Sequence, residues 1–104
     1  MIKIVDFEIT LGSSATNLAT ALALAEGNHA TRVIIEPDSG NTHVVKIQGP
    51  NAKTIKQLAK PTASDAVLDN FTWDVTEGAD LIDLAQLSIL GTSGEKVHGA
   101  AFIG

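Results

Sequence analysis

The sequence predicts a mainly β fold, an antiparallel sandwich or barrel with one short helical segment, and three observations predict it. About six segments alternate apolar with polar residues or carry β-branched runs. Turn residues separate these segments at short intervals. Only one stretch, Ala15 to Glu26, has the Ala- and Leu-rich makeup of a helix, whereas a parallel α/β sheet would need a helix between successive strands. The 104 residues fit a single domain, residues 1–104, with a modest core.

The elements follow in order. Ile2 to Thr10 reads as a strand with Val5, Phe7 and Ile9 on one face and Asp6, Glu8 and Thr10 on the other. Ile2 and Ile4 are out of phase with that set, which a β-bulge near Ile4 and Val5 or a buried first half would explain. Gly12-Ser13-Ser14 breaks the strand. Ser13 or Ser14 can cap the helix from Ala15 to Glu26, Leu18 and Leu22 share a face, and Gly27 is its expected stop.

Thr31 to Glu36, with Val33-Ile34-Ile35, is a strong strand, and His43 to Gln48 is the next. Pro37 to Asn41 between them is turn chemistry, so the two are expected to pair as a hairpin. Ala52 to Ala59 fits either a short helix or a strand with Lys53, Lys56 and Lys60 outward, and Pro61 ends it. Thr62 to Asp69 reads as a loop or edge. Phe71, Trp73 and Val75 alternate with Thr72, Asp74 and Thr76, the clearest half-buried pattern in the chain. A turn at Gly78, a short apolar segment Leu81–Leu84, a strand from Gln86 to Leu90, a turn at Gly91–Gly94 and a last strand from Lys96 to Ile103 complete the chain. The expected core is Val33, Ile35, Val45, Ile47, Phe71, Trp73, Val75, Leu87 and Ile89, and within it Trp73→Ala is expected to cost about 3–5 kcal/mol.

Composition excludes several functions. Seven basic and twelve acidic residues give a net charge of −5, which repels phosphate backbones, and no Lys/Arg cluster is evident to oppose it. Nucleic acid is therefore not an expected partner. Without cysteine there is no disulfide, thiol catalysis or thiolate metal site. The start at Met1-Ile2-Lys3 lacks the pattern of a signal peptide, and no apolar run approaches the ~20 residues of a membrane helix.

Candidate chemistry is sparse. His29, His43 and His98 are not spaced as metal ligands, and exposed or hydrogen-bonded roles suit them. Asp74, Glu77, Asp80 and Asp83 crowd one stretch without the ligand order of a calcium loop, so a solvated acidic rim is expected. Asp38-Ser39-Gly40-Asn41 reads as a plain turn, although it could shape a backbone nest. Ser13, Ser14 and Ser93 lack a nucleophile-elbow context. Gly91-Thr92-Ser93-Gly94-Glu95-Lys96 lacks phosphate-loop spacing and joins two strands. No catalytic, cofactor-binding or metal residue is expected, no cofactor is implied, and a chelator should leave folding unchanged.

One resemblance enters here. Ala15-Thr16-Asn17-Leu18, Thr31-Arg32-Val33-Ile34-Ile35, the Asn41 turn, an acidic Gly-containing segment and Leu84-Ala85-Gln86-Leu87-Ser88-Ile89-Leu90-Gly91 occur in an order that resembles small structural proteins of tailed bacteriophages. These decorate or cement capsids or occur as tail components, and the resemblance runs from about Ala15 onward. It implies a β-sandwich in the virion, bound to the major capsid protein or another virion protein, commonly as a homo-oligomer, without catalytic residues. The alternatives are a β-sandwich ligand-binding or tail receptor-binding module, and a small enzyme subunit whose site needs a partner chain. The contact segments expected are Met1 to Thr10, Ala52 to Lys60 and Pro61 to Asn70.

Overall fold

The computed structural model describes residues 2–24, 29–62, 67–75 and 81–103. Its strands in chain order are β1 (Lys3–Thr10), β2 (Thr16–Asn17), β3 (His29–Ala30), β4 (Arg32–Pro37), β5 (Val45–Gln48), β6 (Thr54–Leu58), β7 (Phe71–Asp74), β8 (Ile82–Asp83), β9 (Ser88–Leu90) and β10 (Lys96–Ile103). One short helix, α1 (Leu18–Leu22), and a 3-10 turn over Leu84–Gln86 interrupt them. The first sheet runs β1-β10-β4-β7 and the second β2-β9-β5-β6, all antiparallel, with β3 and β8 as a separate pair. The sequence left sandwich and barrel open; the two sheets make a sandwich.

Period-two alternation decides what lies between the sheets. Ile9, Val97, Ala101, Val33 and Ile35 from the first sheet meet Val45, Ile47, Leu58, Leu87 and Ile89 from the second side of the molecule, and Leu11, Leu18, Ile82 and Leu84 close the ends. Each such aliphatic side chain contributes about 1.5–3 kcal/mol by leaving water. Of the expected core, Val33, Ile35, Val45, Ile47, Leu87 and Ile89 are fully enclosed, while Phe71 and Val75 pack against the cluster from its margin.

Trp73 departs from that expectation. It lies opposite Val33 and so faces inward, but β7 is an edge strand, and the side chain is 39% exposed. Its remaining ring contact is edge-to-face with Phe71, centroids 6.4 Å apart. Alternation reports the face of a strand and is silent on its place in the sheet. At an open edge truncation leaves a notch that water fills, without a cavity term, so Trp73→Ala is expected to cost about 1–2 kcal/mol, well under the core value. A melting curve would check this.

Other expectations are corrected. Thr31–Glu36 and His43–Gln48 do not form a hairpin: β4 belongs to the first sheet and β5 to the second, where β5 pairs with β6 and β9. The Pro37–Asn41 turn therefore crosses between sheets. The first strand has no bulge, because β1 and β10 pair residue for residue from Lys3↔Ile103 to Thr10↔Lys96. Ile2 and Ile4 simply face solvent, 58% and 63% exposed. The irregularity lies in β6, where Ile47↔Lys56 is followed by Gln48↔Thr54 and leaves Ile55 as an extra, exposed residue.

The helix is far shorter than Ala15 to Glu26. Residues 16–17 pair with β9 instead, and Asn17 is the cap, its Oδ1 accepting from Thr20 N at 3.3 Å. Neither Ser13 nor Ser14 caps it. Ala23 ends it in left-handed geometry at φ 47°, a conformation that costs an alanine roughly 1 kcal/mol. The expected stop at Gly27, and the turn at Gly78, lie outside the described residues. Ala52–Ala59, left open between helix and strand, is strand β6.

Candidate functional site

The crossover from β4 to β5 is bolted to the start of β10, and this end of the sandwich carries most of the polar contacts that span the chain. Asn41 is 5% exposed. Its Nδ2 donates to Lys96 O at 2.8 Å, and its Oδ1 accepts from Lys96 N at 3.0 Å, so one amide mimics a neighbouring strand. Asp38 N also donates to Lys96 O at 3.0 Å.

Two histidines that stand apart from any carboxylate in sequence acquire one through the fold. His98 Nε2 lies 2.6 Å from Asp38 Oδ1, and since an ionised carboxylate only accepts, that nitrogen is the donor. Asp38 Oδ2 accepts from Gly40 N at 3.0 Å. Glu95 Oε2 accepts from Thr42 N at 2.7 Å and from Thr42 Oγ1 at 3.0 Å, while Oε1 accepts from His43 N at 3.2 Å. His43 Nδ1 adds a 3.4 Å approach to Glu95 Oε2. Both oxygens of each carboxylate are thus taken up in holding the crossover down. Glu95 meets the backbone and hydroxyl of Thr42 and the backbone of His43, and Asp38 meets the His98 ring and Gly40 N, so each carboxylate is a clasp that ties together distant parts of the chain. His29 sits opposite Asp83 in the β3–β8 pair.

The clasps hold their carboxyls below the usual range. The hydrogen bond from His98 lowers Asp38, followed by that from Gly40 N. The Ala59 amide does the same for Asp69. At Glu95 burial pushes upward, and the combined hydrogen bonds of Thr42 and His43 outweigh it. A depressed folded pKa means that the unfolded chain binds protons more readily, so stability is present above the unfolded carboxyl pKa and is lost as pH falls through the folded one. The melting temperature is therefore expected to hold through neutral pH and to fall below about pH 4. In Asp38→Asn the acid-induced fall should be smaller, which melting curves between pH 3 and 7 would reveal.

Of the acidic stretch from Asp74 to Asp83, the two described acidic residues have separate partners. Asp74 is exposed and paired with Arg32 at 3.0 Å, and Asp83 Oδ1 accepts from Ala85 N at 3.0 Å to start the 3-10 turn. Glu77 and Asp80 lie outside the described residues. Among the described residues no group of three metal-ligating side chains converges, and no helix is long and apolar enough to cross a membrane. Ser93 lies in the turn between β9 and β10, where Gly94, at φ 89°, takes a conformation unsuited to side chains.

Two surfaces remain. The outer face of the first sheet carries Ile2, Ile4, Asp6 and Glu8 on β1, with Phe102, Ala100, His98 and Lys96 beside them on β10, and Arg32, Ile34 and Glu36 on β4. Arg32 lies over the Phe102 ring, 5.7 Å from its centroid, and Lys96 pairs with Glu8 at 3.4 Å. The outer face of the second sheet holds a cleft of about 450 Å³ lined by Val44, Lys46, Lys60, Leu90, His43 and Thr42, among others.

Four of the seven basic residues share one stretch of the chain, which the net charge conceals. Lys46, Lys53, Lys56 and Lys60 all fall on or next to the β5–β6 hairpin, and no acidic residue occurs from Ser39 to Ser64. The segment from Lys46 to Lys60 is thus locally basic, while Lys3, Arg32 and Lys96 lie on the first sheet.

Among the described residues the geometry defines an antiparallel β-sandwich with polar clasps at one end, open strand edges and several shallow clefts. Comparison of the chain with protein-family models, with curated protein sequences and with solved structures found no match.

Proposed function

We propose that the chain is a virion structural protein of the tailed-phage kind, a capsid decoration or cement protein that docks on the outer capsid surface. The observation that carries this reading is β1, an eight-residue strand at the edge of the first sheet. The backbone of an edge strand is an aggregation hazard unless a partner strand covers it. A capsid lattice supplies such a partner many times over, and repeated weak contacts then give firm attachment. The acidic charge suits the outer shell better than contact with packaged DNA. The feature order around Thr31–Ile35, Asn41 and Leu84–Gly91 supports the same reading.

The reading assigns no catalytic step and no cofactor to the chain, and it includes a homo-oligomer. The cleft beside Lys46 and Lys60 favours a second reading, a ligand-binding or tail receptor-binding module. Purified particles from the phage or prophage that encodes the chain separate the two. Many copies on the capsid, seen by mass spectrometry and electron cryo-microscopy, are the expected result. A few copies confined to the tail would favour the second reading, and absence from particles would overturn both.

A further inference from the structure

We propose that copies of the chain associate head to tail, the outer stripe of β1 from one copy seating in the cleft on the second sheet of the next. This deepens the oligomeric part of the reading above and does not depend on the virion for its test.

The stripe and the cleft match in two respects. Alternation sets Ile2, Ile4, Asp6 and Glu8 in a row on the solvent face of β1, about 7 Å apart, so that an apolar pair is followed by an acidic pair. The cleft has an apolar floor, Val44 and Leu90, and basic groups at Lys46 and Lys60 with His43 beside them. Apolar meets apolar and acid meets base in one placement. The symmetric alternative lacks this complementarity: two β1 stripes facing one another set Asp6 and Glu8 against apolar Ile4 and Ile2 when antiparallel and against like charge when parallel.

Nor does the chain favour simple extension of the second sheet. The extra residue Ile55 in β6 disrupts the ladder along that edge, the usual device against edge-to-edge pairing. Docking onto the face of the sheet avoids that edge. Because the two surfaces differ and lie on different sheets, the contact is heterologous and propagates from copy to copy, closing into a ring or continuing as a row.

A charge-reversal pair tests this with the intact chain. Sedimentation velocity of the wild type at low ionic strength should show assembly that rises with concentration and weakens in 0.5 M salt, as expected for contacts screened over ~10 Å or less. Asp6→Lys/Glu8→Lys should weaken self-association by at least about tenfold, because its β1 stripe then faces lysines, and Lys46→Glu/Lys60→Glu should do the same. An equimolar mixture of the two variants should assemble again, since each stripe then meets a cleft of opposite charge. Circular dichroism and melting curves confirm that both are folded, and Asp6→Lys alone, which leaves the Glu8–Lys96 pair intact, serves if the double variant is not. A wild type that stays monomeric at high concentration and low salt overturns the proposal. So does self-association that survives either reversal, or folded variants that fail to assemble when mixed. A monomer found on particles would sink this inference alone, and an assembling chain absent from particles would sink only the virion reading.

Discussion

Gly99→Val is expected to leave no folded protein. Gly99 lies in the middle of β10, which is hydrogen-bonded to β1 on one side and β4 on the other, with Phe7 and Ile35 as its cross-strand partners. A Cβ placed there would run into the Ile34 carbonyl oxygen and come within 2.7 Å of Phe7 Cζ. The phenyl tip can swing away, but the carbonyl belongs to a strand fixed by its own ladder. Relief would require β4 and β10 to part, at a cost of several kcal/mol, comparable with the whole stability of a domain this size. The phenyl ring over a bare backbone also covers the surface that the missing side chain leaves open. Far-UV circular dichroism should show loss of the β signal, with Gly99→Ala intermediate. A Gly99→Ala protein melting within a few degrees of the wild type would mean that β10 and β4 have more room than this geometry allows.

The second large effect is expected at Asn41. Replacing it with Ala removes both bonds to Lys96 and leaves the Lys96 amide hydrogen without this partner, while the Lys96 carbonyl keeps the bond from Asp38 N. Each net bond contributes about 0.5–1.5 kcal/mol, so the loss of two bonds, with one amide left without its partner, comes to roughly 1–3 kcal/mol. Asn41→Asp keeps the acceptor for Lys96 N but loses the donor to Lys96 O and sets a carboxylate against that carbonyl, so it should be no better than Ala near neutral pH. Urea titrations of the three proteins would rank them. An Asn41→Asp protein as stable as the wild type would show that the donated bond contributes nothing.

These two positions also show where sequence reading succeeds and stops. Val33, Ile35, Val45, Ile47, Leu87 and Ile89 are legible as core because alternation is a local signal and each sits on, or for Leu87 directly before, a strand with a neighbour on both sides. Trp73 carries the same local signal on an edge strand, and burial there depends on sheet order. The supposed hairpin failed likewise: Pro37–Asn41 has hairpin chemistry, but its buried Asn41 answers to Lys96, 55 residues away. The clasps of His98 on Asp38 and of Thr42 and His43 on Glu95 join positions 52 to 60 residues apart, beyond any spacing rule. The helix was overread because Ala-rich propensity is a weak prior, and pairing of Thr16 and Asn17 with β9 overrode it. The locally basic segment needed no structure at all: the acid-free stretch from Ser39 to Ser64 was visible once the lysines were placed along the chain instead of summed.

The central position of β10 governs how the molecule comes into being. Every other strand of the first sheet precedes it in the chain, and although β4 pairs directly with β7, β1 can join the sheet only through β10. A nascent chain leaving the ribosome therefore holds β1 waiting, its apolar Val5, Phe7 and Ile9 without their neighbours, until the last strand has emerged. The pairing of Lys3 with Ile103 joins residues 100 positions apart, and such distant pairings slow the search for the native state. Expression at lower temperature, or with a chaperone that shields early strands, should raise the soluble yield, and truncations that stop before Lys96 should accumulate as aggregates.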